Sequence, residues 1–181
     1  MFLLSVAGKT TLGGGTDRIG RVSEAGEFVD YTLQRESSWE KAFAIQERAG
    51  EGLRVYGASI GAVRGTIRDT LNRYKNLDHD DITALSTELW AEPVFERRLA
   101  AVVLLQTKVG LLTHTDLTRL EGFIRQSDTD ALTMPLALDV VRPLLDRLEG
   151  QARDKADKVL QRWTDDPDTR LRRAVALVTG D

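Results

Sequence analysis

From Glu27 to Val178 the apolar residues recur three and four positions apart almost without a break. No stretch shows sustained apolar–polar alternation between hairpin turn pairs. That periodicity leaves one way to make a core, in which helices each bury a single stripe against their neighbours. Segment 39–49 puts Trp39, Ala42, Phe43 and Gln46 on one stripe, with Ser38 as the expected cap. Segment 59–74 carries Ile60, Val63, Ile67 and Leu71, and segment 79–90 gathers Ile82, Leu85, Leu89 and Trp90. Pro93 suits the first turn of the next helix, where its missing N–H costs nothing. That helix is expected to run through Phe95, Leu99, Val102, Val103 and Leu105 to Val109. Further helices are predicted at 115–126, 133–149, 153–163 and 168–178, with loops holding Thr113, Asp128, Gly150 and Pro167. Short connections between about eight such helices predict antiparallel hairpins stacked side by side.

An internal echo points to stacking rather than a closed bundle. Trp90-Ala-Glu-Pro93 precedes Arg97-Arg98 and the run Leu99 to Val103, and Trp163-Thr-Asp-Asp-Pro167 precedes Arg172-Arg173 and the run Ala174 to Val178. The two arginine pairs lie 75 positions apart, 172 minus 97. This matches two units of a helical-pair repeat of roughly 35–45 residues. In such an array each hairpin leaves an apolar face that only the next hairpin covers. The expected fold is therefore all-α, a superhelix of stacked antiparallel pairs of the HEAT or armadillo type. It is expected to occupy residues 27–181, preceded by a flexible leader over residues 1–26.

The leader invites two motif readings, and neither holds. Gly8-Lys9-Thr10 lacks the glycine that a phosphate-cradling loop needs five residues earlier, where Leu3 stands. Gly13-Gly14-Gly15 is followed by Thr16-Asp17-Arg18, with Arg18 where a dinucleotide fingerprint would place its third glycine. The segment also lacks the basic start and long apolar stretch of a secretory signal.

Composition narrows the chemistry further. The chain has 181 residues, enough for one domain with a real core, and no cysteine, so disulfides and thiolate-held metals are ruled out. A cytoplasmic setting is expected, and runs such as Val102–Leu105 are too short to span a bilayer. His79 and His114 stand apart without metal-ligand spacing, and no Ser–His–Asp grouping can be drawn. No metal and no cofactor are expected. A net charge of −3 means that any nucleic-acid role must rest on a local patch. Two patches are candidates: Arg64, Arg68, Arg73 and Lys75, and the recurrent set Arg97, Arg98, Arg170, Arg172 and Arg173. Stacking would bring such positions to one side as a stripe that tracks phosphates. The competing arrangement pairs them with Glu88, Glu92, Glu96, Asp165, Asp166 and Asp168 on a near-neutral surface.

Three segments resemble those of a known family. Tyr56-Gly57-Ala-Ser-Ile-Gly61-Ala-Val-Arg64 resembles its aromatic–Gly…Pro-x-x-Arg segment, with Gly61 where proline is usual. Leu89-Trp90…Pro93…Glu96-Arg97-Arg98 resembles its Leu-Trp…Pro…Glu-x-Arg helix start, and Trp163…Leu171-Arg172-Arg173-Ala174 its late Trp…Leu-x-Arg-Ala helix. The family is that of the bacterial DNA alkylation repair proteins, the AlkD-type alkylpurine DNA glycosylases, and the likeness spans Phe28 to Val178. It implies HEAT-like pairs whose concave face holds duplex DNA. It also implies hydrolysis of the glycosidic bond of cationic N3- or N7-alkylated purines, without a deep base-flipping pocket.

By the same resemblance Asp139 takes the place of the catalytic carboxylate and Arg173 that of the phosphate-holding arginine, while the two basic patches add Arg64, Arg98, Arg170 and Arg172 as candidate DNA contacts. The residues alone leave another reading open, in which Asp139 is an exposed acid on a polar helix face and Arg173 a surface arginine near a helix start. Two departures bear on catalysis. Pro135 stands where the family has a tryptophan four residues before the carboxylate. A second family tryptophan belongs to a pair beyond Asp181, so the chain is expected to be a shortened form. Trp39, Trp90 and Trp163 fall at apolar helical positions, where core packing is expected. The expected function is thus DNA alkylation repair by base excision, and the alternative is a non-catalytic helical-repeat module that binds DNA or protein.

Overall fold

The computed structural model describes residues 14–180, with side chains from Arg18 onward. Helix α1 spans Gly14–Arg35, α2 Trp39–Ala49, α3 Ile60–Arg73, α4 His79–Ala91 and α5 Phe95–Thr107. Two short 3₁₀ turns, Val109–Leu111 and His114–Asp116, lead to α6, Leu117–Arg125. Helix α7 then covers residues 130–146 and consists of Asp130–Pro135, a π-helical turn Leu136–Val141, and Arg142–Asp146. Helices α8, Gly150–Thr164, and α9, Thr169–Thr179, complete the fold, and no strand forms among the described residues.

The helices lie in two layers. Helix α3 packs on α5, α5 on α7, and α7 on α9, so these four stand side by side. Behind them α1 packs on α4, α4 on α5, α6 on α9 and on the π-turn of α7, and α8 on α9. Only residues 92–94 separate α4 from α5, and a connection that short returns the chain beside itself as an antiparallel hairpin. The all-α expectation therefore holds, and the array has the form of helical pairs stacked in series.

The core follows the predicted stripes. Val63 and Ile67 of α3, Ile82, Leu85 and Leu89 of α4, and Val102, Leu104 and Leu105 of α5 are almost wholly buried. Trp90 and Trp163 are also interior. Trp90 stacks on Phe123 with centroids 4.4 Å apart and donates its indole N–H to the Gln126 side chain. Trp163 donates to Glu121. Each indole thus joins its own pair to a neighbouring one, as the echo in the sequence implies.

Four local expectations change. Residues 14–26, expected as leader, form the opening of α1, where Val22 and Ala25 enter the core; the glycine-rich and P-loop-like motifs before Gly14 lie outside the described residues. Trp39 and Phe43, expected to pack inward, are 80% and 76% exposed. Helix α2 is anchored instead along an adjoining stripe that keeps Ala42 and adds Ile45 and Ala49. Ser38 caps α2 through its backbone carbonyl alone, which accepts from the Ala42 N–H. Pro93 precedes α5 rather than opening it: its carbonyl accepts the Arg54 N–H at 2.9 Å, while the Arg54 carbonyl accepts from Phe95. A proline there can accept but not donate, which suits a one-sided bridge.

That bridge belongs to the clamp that fixes the entrance of α3. Glu96, fully buried in the first turn of α5, accepts the backbone N–H groups of Tyr56, Gly57 and Ala58 at 3.0, 2.8 and 3.2 Å. The Tyr56 hydroxyl donates to Asp30 at 2.7 Å, and Arg97 meets the same carboxylate at 2.8 Å. Partial burial pushes the Asp30 carboxyl up, but the hydrogen bonds from Tyr56 and Arg97 outweigh it and hold the group below the ordinary range. The motif residues Tyr56, Gly57, Glu96 and Arg97 therefore meet in one knot tying α1, α3 and α5 together.

Candidate active site and nucleic-acid interface

Asp139 lies in the π-turn of α7. Leu136, Ala137, Val140 and Val141 around it are fully buried, while Asp139 itself is partly exposed. The turn has a chemical cause in two prolines. Pro135 closes the first segment of α7, and Pro143, which has no N–H to give to the carbonyl four residues back, follows the turn. A proline ring also crowds that carbonyl, and widening the preceding turn relieves the crowding. Among the described residues the Asp139 side chain accepts no hydrogen bond and forms no ion pair. Its oxygens are therefore open to a group from outside the protein.

Pro135 sits one helical turn before Asp139 and offers no π face. Met134, next to it, is 40% exposed. Arg142, one residue before Pro143, donates to the carbonyls of Leu177 and Val178 and so ties α7 to the C-terminal end of α9.

The arginines expected to hold DNA divide into two groups. Arg98 is a correction: only 7% exposed, it donates to the carbonyls of Trp90 and Gln126 and lies over the Trp90 ring at 5.2 Å. Burial lowers its pKa more than nearby Asp128 raises it. Arg98 is a strut between pairs and has no surface to offer to phosphate. Arg97 is likewise held by Asp30, and Arg73 lies over Phe28 at 5.1 Å. At the other end, Arg170 meets Asp168 and Asp128 at 3.1 and 3.2 Å, and Arg173 meets Asp130 at 2.7 Å. Arg172 donates to the carbonyls of Asp166 and Pro167. Asp130 opens α7, so Arg173 is tied about 13 Å along that helix from Asp139. Arg64 is exposed and has no side-chain partner among the described residues.

Sequence reasoning passes over the segment 126–130. Asp128 adopts a positive φ of 48° and lies between Arg98 and Arg170, while the Thr129 hydroxyl donates to the Arg48 carbonyl. The N-terminus of α7 is thereby linked to α2, α5 and α9. Nearby, Arg125 pairs with Glu121 and Asp166, and the Arg125 side chain holds the Asp166 carboxyl down at about 2. A loop aspartate carries little in sequence to mark it as such a junction.

Between α3 and α5 runs a groove of about 570 Å³ lined by Arg64, Arg68, Leu71, Asn72, Val103, Gln106 and Thr107. A smaller cavity of about 210 Å³ lies where Ile45 and Arg48 of α2 meet Ile60, Phe95, Leu99 and Ala131. Both open on the layer formed by α3, α5, α7 and α9.

Comparison with known proteins gives one family. The profile described as DNA alkylation repair enzyme matches residues 29–180, most of the chain. No curated protein matches it significantly.

Proposed function

The chain belongs to the DNA alkylation repair enzyme family, and from that membership we propose that it excises cationic N3- or N7-alkylated purines from duplex DNA as an N-glycosylase. Alkylation at either nitrogen leaves the base positively charged, so it departs as a neutral purine once the glycosidic bond breaks. Positive charge then builds on the deoxyribose, and the protein needs to supply little beyond a carboxylate beside the sugar and a way to hold the backbone.

The observation that carries this reading is the state of Asp139: a carboxylate set among buried aliphatic side chains, partly exposed, with no partner inside the protein among the described residues. Carboxylates in apolar surroundings are ordinarily matched by a donor or kept for a task. Here Asp139 would face the sugar, stabilise its developing charge and orient the attacking water. The absence of an indole at Pro135 removes one means of bracketing a cationic base by π contact. Discrimination then rests on the leaving-group chemistry of the lesion itself, and a modest rate is expected.

A second reading has its own support. With Arg173 tied to Asp130 and Pro135 standing where the family has an indole, two groups that the resemblance assigns to the reaction are altered, which suits a repeat module that binds without catalysis. Asp139→Asn separates the two. The glycosylase reading expects release of 7-methylguanine from duplex DNA to fall by about a hundredfold or more in this variant, with duplex affinity kept within about twofold. Equal release by both proteins removes Asp139 from the reaction, and no release by the unmodified protein favours the module.

A further inference from the structure

The cations of this molecule are unevenly partnered. Those on α9 are matched by Asp128, Asp130 and Asp168 or by carbonyl oxygens. On α2 and α3 the pattern reverses. Lys41, Arg48 and Arg64 have no side-chain partner among the described residues, and Arg68 meets only the adjacent Asp69, with its own side chain 73% exposed. These four line two hollows: Lys41 and Arg48 one of about 390 Å³ floored by Ala44, Ile45 and Ile60, and Arg64 and Arg68 the α3–α5 groove. No acidic side chain lines either hollow or the small cavity between α2, α5 and α7. The two hollows on the α1–α4–α6 side, by contrast, include Asp80, Glu88 and Asp116.

Resting on the DNA reading above, we infer that one strand of the duplex lies along α2 and α3, with its phosphates held by Lys41, Arg48, Arg64 and Arg68 rather than by the arginines of α9. An arginine already paired with a carboxylate must give up that pair to take a phosphate; an unpaired one exchanges only water and counterions. Arg64 and Arg68 stand one turn apart on α3, about 6 Å along its axis, so they present two charges in a row. The Asn72 and Gln106 amides border the same groove without hydrogen bonds among the described residues and can donate to phosphate or sugar oxygens. Leu71 and Val103 give the groove an apolar floor suited to the faces of deoxyribose.

The test is the salt dependence of binding to a short undamaged duplex. Arg64→Ala/Arg68→Ala is expected to flatten the slope of log K against log salt by about 1.8, near 0.9 for each phosphate left without its arginine. Arg170→Ala/Arg172→Ala should change it by less than about half that amount. Arg64→Lys/Arg68→Lys, which keeps the charge, should retain the original slope, and melting temperatures show whether each variant is folded. An unchanged slope in the double alanine variant, or a larger change in the α9 variant, overturns this placement of the strand while leaving duplex binding intact. Absence of salt-sensitive binding by the unmodified protein sinks the DNA reading itself. Tighter binding of poly-glutamate than of duplex, abolished in the same variant, reassigns the surface to an acidic protein and equally overturns the inference.

Discussion

At Gly57 the backbone has φ of 95°, a region costly for any side chain. A Cβ there would overlap the Ser38 carbonyl oxygen and stand 3.0 Å from the Ala42 Cβ. Neither neighbour is a flexible side-chain tip, so the strain has no easy outlet. Gly57→Ala is expected to destabilise the fold by about 3 kcal/mol or more, seen as a lower denaturant midpoint with the slope unchanged. His79 gives a pH signature. Its ring meets Asp80 and buried Asp116, both at 2.9 Å, and those hydrogen bonds raise its pKa above 6.5. A raised folded-state value stabilises fully below the unfolded pKa, and that contribution disappears as pH climbs through the folded one. The stability gap between the unmodified protein and His79→Gln should therefore be widest near about pH 5 and shrink by about pH 9, as followed by thermal melts. A gap that grows with pH would contradict the pairing.

Among the elements, α7 carries the most consequence. Its π-turn sets the direction in which Asp139 points, and the prolines on either side account for the turn. Pro143→Ala restores a missing N–H to the helix, so α7 should relax toward a regular α-helix. Thermal stability is expected to rise or hold, while release of methylated base falls by about tenfold as Asp139 swings off its line. Unchanged release together with raised stability would mean that the π-turn is incidental to the site. Nearly every helix is legible from apolar spacing, because tertiary packing here agrees with the 3.6-residue period. The apolar stripe alone starts α7 about three residues late, since Asp130 and Ala131 enter it through a Thr129 cap instead. Exposure of Trp39 and Phe43 is not legible either: periodicity says which residues share a face, and α2 buries an adjoining stripe through Ala42, Ile45 and Ala49. The π-turn leaves only its two prolines as a trace.

For the whole molecule, the repeat of Trp…Arg-Arg segments correctly implies stacked pairs but misleads about charge. Arg98 and Arg173 are equivalent in the echo, yet one is an interior strut and the other a surface ion pair. Which cation has a carboxylate beside it depends on partners some 30 to 43 positions away, such as Asp128 for Arg98 and Asp130 for Arg173. Local sequence does not encode these. Nor does a net charge of −3 forbid an anionic partner, because several acids, among them Glu121, Asp128, Asp130, Asp166 and Asp168, are already paired with arginines. Among the described residues the molecule thus presents unpaired cations on α2 and α3 and an unpartnered carboxylate on α7.

Duplex DNA held by this protein is expected to lose a base. The most direct measurement is mass spectrometry of what leaves a duplex carrying 7-methylguanine after incubation with the protein. Free 7-methylguanine, with a strand of unchanged length bearing an abasic site, is the predicted result. A strand still carrying its methylated base, or one restored to guanine without base loss, would contradict the account.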